Sequence, residues 1–394
     1  MYRWLLAAQI LLSAVTINYG YKILVFSPRF GRSHVTYAGS IADALIEAGH
    51  QVVRQFHLFF FFFVAEIFAN TCAIVNARSD VLNALKLAKF DLAVAEIFDV
   101  CAFAQSALVL VNSNPIYDFP RPTLHKILHV GGINVKIPRK LSEEWNTVLR
   151  QRPKTVIVAF GSVVRSCTMP VEMKKNLLEA FAEFPNVTFI WKYEKAENVA
   201  KDYTNVVVAD WIPQNDLLND NRVVGAITHG GMNGIHEAVY AGKPLIIVPL
   251  FGEQTHNAKM AERANFVGID SWKFCRRRKE FKRNFFSYAS AAKNLSVMVK
   301  YQPYDIKQRM IEYLSYVARF GNLPMLDNFG RKQSMLTFYF LDIFMILLFA
   351  ELALFGSAVY YLRHFLLDFL GLQVKVKTSE DKKAKKDTEK DKTQ

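Results

Sequence analysis

Apolar positions along this chain recur in two series that part near residue 150. The first series opens on Tyr21–Pro28 (YKILVFSP), a short apolar run that predicts a buried strand. A turn follows over Arg29–Arg32, and Ser33 stands where an N-cap would start a helix. From His34 to Ala48 the residues Val35, Ala38, Ile41, Ala42 and Leu45 keep helical spacing, and Gly49 closes the segment as a C-cap. Phe90–Ala95 (FDLAVA) predicts a second buried strand.

The second series is more regular. Thr155–Phe160 predicts a strand and Pro170–Phe184 a helix with proline in its first turn. Val187–Lys192, Val206–Ala209 and Val223–Thr228 predict strands, Gly231–Tyr240 a helix and Leu245–Pro249 another strand. Strands alternating with helices give a parallel sheet covered on both faces. The pattern therefore predicts an α/β fold in which two Rossmann-like domains, 21–150 and 151–335, face each other across a cleft. No internal repeat of short period is present. Phe56–Phe68 (FHLFFFFFVAEIF) is too short to span a membrane and too apolar for a surface loop. A buried strand, a membrane-facing loop and an error in the reading frame each account for it.

Composition adds two segments. Of 394 residues, 52% are apolar, and the excess lies at the two ends. Residues 1–20 carry Arg3, the apolar stretch Trp4–Val15 and a small residue, Gly20, at a cleavage position. This is the pattern of a secretory signal peptide, with an uncleaved anchor as the alternative. Residues 336–362 are almost unbroken apolar sequence, longer than the ~20 residues that cross ~30 Å of hydrocarbon. Phe338, Tyr339, Tyr360 and Tyr361 mark the edges of this expected transmembrane helix. Asp342 lies within reach of headgroups. Glu351 does not, and calls for protonation or a partner helix. A buried core helix is the bland alternative. The basic tail, 363–394, is by its charge expected to be cytoplasmic, and its lysine-rich part, Lys375–Gln394, to be disordered. A single-pass type I protein of the endoplasmic reticulum membrane follows, with its body in the lumen. Lys390 and Lys392 resemble a retrieval signal for that compartment. The net charge of +14 sits largely in the tail and in Lys273–Arg283, which argues against a nucleic-acid surface. The four cysteines, Cys72, Cys101, Cys167 and Cys275, lack metal-ligand spacing, and no metal site is expected.

The chemistry concentrates between Trp211 and Gln254 (WIPQNDLLNDNRVVGAITHGGMNGIHEAVYAGKPLIIVPLFGEQ). The strand Val223–Thr228 ends at His229-Gly230-Gly231, and a helix follows at once. The carboxyl end of a parallel strand is where such sheets bind ligands, and a helix N-terminus offers free amides and a dipole to a phosphate. Gly230 and Gly231 let backbone approach closely, His229 and Asn233 can donate hydrogen bonds, and Gly231 and Gly234 count among the candidate donor-binding residues. Glu237 can accept from ribose hydroxyls. Trp211 offers a stacking face for a base and Gln214 an amide to read its edge, while Glu253 and Gln254 at the next strand end suit sugar hydroxyls. Taken singly, a His-Gly-Gly turn is a tight turn and a loop tryptophan is packing. The ordered set is far more specific.

This segment resembles the nucleotide-sugar signature of the UDP-glycosyltransferases, most closely the animal UDP-glucuronosyltransferases. The resemblance implies a GT-B-type fold and inverting transfer of a glycosyl group, with glucuronic acid favoured, from a UDP-sugar to a hydroxyl of a small lipophilic acceptor. No metal and no cofactor beyond the donor are implied. Trp211 would stack on uracil, Gln214 would meet the base or ribose, His229 and Asn233 the diphosphate, Glu237 the ribose, and Glu253 with Gln254 the sugar. Phe160-Gly161-Ser162 resembles the family's loop after the first strand of the nucleotide domain, with Ser162 near the uridine. In FSPRFGRSHVTYAGSIADALIEAGH, His34 would match the family's general base. Its orienting carboxylate would be Glu96, with Asp99 as runner-up. Association into homo- or hetero-oligomers is a further expectation.

Three departures stand out. Glu253 occupies a position where the family usually has Asp. The first half is about half the expected length, with the deficit near Ala104-Gln105, where much of the acceptor pocket would form. Ser271–Phe286 is also irregular. Either the deletion is real or the gene model is faulty. The alternative function is therefore a catalytically impaired, membrane-anchored UDP-sugar-binding relative that acts by association with intact family members. A transporter is excluded by the single span, which cannot enclose a pathway.

Overall fold

A computed structural model describes residues 20–28, 32–57, 87–95, 106–162, 164–195, 199–269, 288–327 and 333–371. The expected signal peptide, most of the Phe56–Phe68 run, Glu96, Asp99, the irregular segment after Ser271 and most of the basic tail lie outside the described residues.

The first half begins with β1 (Lys22–Pro28) and α1 (Arg32–Glu47). α1 starts at Arg32, so the position expected for the N-cap, Ser33, falls in its first turn, a correction to the sequence expectation. The C-terminal expectation holds: Gly49 takes φ +89, and the amides of Gly49 and His50 donate back to Ile46 and Leu45, closing the helix. Next come β2 (Gln51–His57) and β3 (Leu92–Ala95), which pair in parallel on either side of β1. β3 was expected to be buried, yet its residues alternate between half-buried and exposed, because among the described residues it forms one edge of this sheet. β4 (Val109–Val111) and β5 (Ile127–His129) form a separate parallel pair.

The second half starts with α2 (Glu143–Arg150), capped by Ser142, and continues through β6 (Lys154–Ala159), α3 (Val171–Ala182), β7 (Val187–Lys192) and β8 (Val206–Ala209). It proceeds with α4 (Gln214–Leu218), β9 (Val223–Thr228), α5 (Met232–Ala241), β10 (Leu245–Ile247), α6 (Gln254–Arg263) and β11 (Val267–Ile269). The six strands are all parallel and run in the order β11-β10-β9-β6-β7-β8. Numbered from β6, this is the doubly wound order 3-2-1-4-5-6. Five of six residues in both β6 and β7 are buried, as strands covered on two faces must be. One face packs Ile157, Ile190, Ala226 and Ile247 against α5 and α6; the other packs Phe189 and Trp191 against Leu177, Leu178 and Phe181 of α3.

α7 (Ala289–Lys300) lies on α5, and α8 (Ile306–Phe320), capped by Asp305, returns to the first half. There Ile306, Met310 and Leu314 complete the core made by Ile23, Val25, Ile41 and Leu45. His50 Nε2 lies 3.1 Å from Ser315 Oγ, and Lys307 pairs with Glu47. Residues to Leu326 form one compact unit that holds all the sheets.

The second unit begins at Asp327. The apolar run expected from Leu336 to Leu362 is not one helix. α9 (Met335–Phe338) ends at a break where Phe340 takes φ +56, and α10 runs from Leu341 to Phe369. At 1.5 Å per residue its 29 residues extend about 43 Å, long and apolar enough to cross a membrane.

Candidate active site

In a doubly wound sheet, ligands settle beyond the carboxyl ends of the strands where the order reverses. Here that point lies between β6 and β9. β6 runs into Phe160-Gly161-Ser162, and β9 runs into His229-Gly230-Gly231, from which α5 starts. A Cβ on Gly161 would lie 2.7 Å from Cε1 of His229, and one on Gly231 would lie 2.6 Å from its Nε2. The two glycines thus make room for the imidazole, a role beyond the close backbone approach expected of Gly231. Gly230, at φ +91, turns the chain, and Asn257 Nδ2 donates to its carbonyl oxygen at 3.0 Å, holding the turn.

Gly231, the N-cap of α5, has no side chain to cap the helix, and the first turn carries the positive end of the helix dipole. Gly231, Asn233 and Gly234 at this end line the cleft. Burial lowers the His229 pKa to about 4, partly offset by a hydrogen bond to the Ala159 main chain, and Lys192 lowers it further. The imidazole is therefore neutral near pH 7.

Gln214 opens α4, and its Nε2 donates to Glu237 Oε2 at 2.6 Å. Burial raises the Glu237 pKa, the Gln214 hydrogen bond opposes the rise, and the Asp216 carboxylate adds to it. Trp211 leaves 54% of its surface exposed and lines the same cleft. Gln254 is buried, and its Oε1 accepts from the amides of Leu250 (2.8 Å) and Phe251 (3.2 Å), so its carbonyl end fixes the loop after β10. Glu253 precedes it on the cleft wall.

Across from these groups stands the first half. His34 is half-buried on α1, beside Tyr37, Ala38 and Ile41, with Phe26 of β1, Val94 of β3 and Leu314 and Val317 of α8 completing an apolar wall. The cleft between the two walls measures about 1450 Å³. It gathers every candidate that falls within the described residues: His34, Ser162, Trp211, Gln214, His229, Gly231, Asn233, Gly234, Glu237, Glu253 and Gln254.

The family model described as UDP-glucoronosyl and UDP-glucosyl transferase matches residues 96–366. The chain belongs to this family. UDP-glucuronosyltransferase 3A1 of Xenopus laevis is 28% identical over 305 residues, covering 73% of this chain and 57% of the relative. UDP-glucuronosyltransferase 3A2 of Homo sapiens is 32% identical over 276 residues, covering 66% and 52%. The chain thus spans about half the length of the curated relatives it matches. Among solved structures, the glycotransferase of kitacinnamycin superposes with a TM-score of 0.60 at 14% identity, covering 76% of this chain and 98% of that one. Arabidopsis thaliana UGT89C1, solved with UDP-L-rhamnose, gives 0.56 at 14%, covering 76% and 99%. These likenesses show the GT-B fold.

Sequence reasoning missed three polar residues of this cleft. Lys192 ends β7; its Nζ donates to the Gly161 carbonyl and pairs with Glu194, both at 2.9 Å, and lies 5.7 Å from the Trp211 ring centroid. The rule that strand ends carry function would have flagged it. Asn257 and Asn112 gave no such signal, since their partners are distant in sequence.

Proposed function

We propose that this chain transfers a glycosyl group from a UDP-sugar to a hydroxyl of a small lipophilic acceptor, with inversion and without a metal. The observation that carries the reading is the meeting of β6, β9 and the uncapped start of α5 at the reversal of strand order, with Trp211, Gln214 and Glu237 beside it. Uracil would stack on Trp211, and Glu237 would hold the ribose. The diphosphate would dock at the α5 N-terminus with Asn233 and His229. Charge developing on the leaving diphosphate would be met there by fixed dipoles, and an anion at this point raises the His229 pKa, favouring proton uptake. Glu253 and the Nε2 end of Gln254 would address the sugar. Solved relatives of this fold include one bound to UDP-L-rhamnose, which supports a UDP-sugar donor. Glucuronate is the donor favoured by the named relatives.

His34 would take the proton from the acceptor hydroxyl, oriented by Glu96 or Asp99, as oxygen attacks the anomeric carbon opposite UDP. The apolar wall around it suits a lipophilic acceptor. α10 would anchor the protein in the endoplasmic reticulum membrane, with the cleft luminal.

The test is acceptor-dependent UDP release by the full chain in membranes. His34→Ala should reduce release by at least a thousandfold while UDP binds as before. An equal loss of both would remove His34 from its role. UDP binding without any release under any acceptor would favour the second reading, an impaired partner of intact relatives, in line with a chain that spans about half the length of the relatives it matches.

A further inference from the structure

We propose that Tyr117, His236 and Asn112 form a directional hydrogen-bond chain that orients the side-chain amide of Asn233 and thereby couples the donor site to the segment joining the two halves. The proposal rests on the reading of Asn233 as a diphosphate ligand. Asn233 and His236 lie on one face of α5, three residues apart. Asn112 and Tyr117 come from the stretch that follows β4, outside the six-stranded sheet.

His236 is fully buried, although nothing in the donor reading uses it. Its Nε2 lies 3.1 Å from Asn112 Oδ1, and the Asn112 main chain also accepts from the ring. Facing acceptors, Nε2 carries the hydrogen. Nδ1 is then the acceptor, and the Tyr117 hydroxyl, in close contact with it, donates. Because Asn112 Oδ1 accepts, its Nδ2 is the atom that donates to Asn233 Oδ1, at 3.0 Å. Each link fixes the direction of the next. Asn233 cannot flip its amide without setting two NH2 groups face to face, so its Nδ2, the end suited to an anion, keeps one orientation.

The surroundings hold the chain in place. A Cβ on Gly131 would lie 2.7 Å from Cε1 of His236, so the loop after β5 closes on the ring. Tyr117 packs into the core of the nucleotide half, whereas Leu128 and Val130, around β5, pack into the core of the acceptor half. A shift of the acceptor half would therefore pull on Asn112 and, through it, on Asn233.

UDP binding by titration calorimetry, with melting temperature measured in parallel, tests this on the full chain in detergent. Asn233→Ala is expected to weaken UDP about tenfold. Asn112→Leu keeps the volume and leaves His236 its main-chain acceptor; it is expected to weaken UDP about fivefold at a nearly unchanged melting temperature. The double variant should bind no more weakly than Asn233→Ala alone, since Asn112 acts only through Asn233. Tyr117→Phe, which removes one hydroxyl, repeats the cycle with about a threefold loss should Asn112→Leu fold poorly. Multiplying losses in the double variant, or wild-type affinity in Asn112→Leu, would overturn the chain. Full UDP affinity in Asn233→Ala would remove the diphosphate reading itself, and the chain with it.

Discussion

In the nucleotide half, six parallel strands are sealed on both faces by two apolar clusters, and the candidate donor residues sit where the strand order reverses. In the acceptor half, three strands share a core with a helix from the far end of the body, and β3 leaves alternate residues exposed. The difference teaches that the two functions depend on the sheet to different degrees. A site built from strand ends and a helix N-terminus is secured by the sheet itself. A pocket built from side chains and connecting segments changes as soon as those segments shorten.

Substitutions can break or sharpen this contrast. The largest effect is expected at Trp191, which is fully buried against Phe181 in the cluster that also holds Phe189. Trp191→Ala should cost about 4 kcal/mol in denaturant unfolding. Next comes His236, whose pKa burial lowers from 6.5 to about 4. The unfolded chain takes up this proton near pH 6.5 and the folded chain only near 4. Stability is therefore fully present above pH 6.5 and falls as pH drops through that window, by roughly 3 kcal/mol at pH 4. His236→Gln should remove this contribution and leave the one from His229, when the two proteins are unfolded at each pH. Gly161→Ala places a methyl group against His229 at a φ of +91. It should cost about 2 kcal/mol and weaken UDP more than tenfold. The smallest effect belongs to the acceptor half's edge: Leu92→Ala on β3 should cost less than about 1 kcal/mol, because its side chain is only half-buried. If Leu92→Ala cost as much as Trp191→Ala, the contrast between the halves would be wrong.

The sequence made the continuous apolar strands legible to the residue: β7, β8 and β9 begin and end where their runs do. Polar or very short strands were not legible. Gln51–His57 mixes polar and apolar residues without clean alternation, and β4 and β5 have three residues each, fixed by pairing with each other rather than by local pattern. β3 looked buried because its residues are apolar; only the sheet order reveals it as an edge. The donor residues were legible because Trp211 to Gln254 brings them together along the chain. Asn112, which meets Asn233 from 121 positions away, could be found only in three dimensions.

The return of α8 to the first half has a consequence for biosynthesis. His50 waits for Ser315, 265 positions later, before its contact can form. At ~5–20 residues per second of translation, that delay is on the order of 10–50 s. During this interval the earliest strands emerge without the Ile306, Met310 and Leu314 side chains that cover them. The amino-terminal half should therefore engage chaperones until synthesis nears α10, and a ribosome stalled before residue 306 would leave it open to proteolysis.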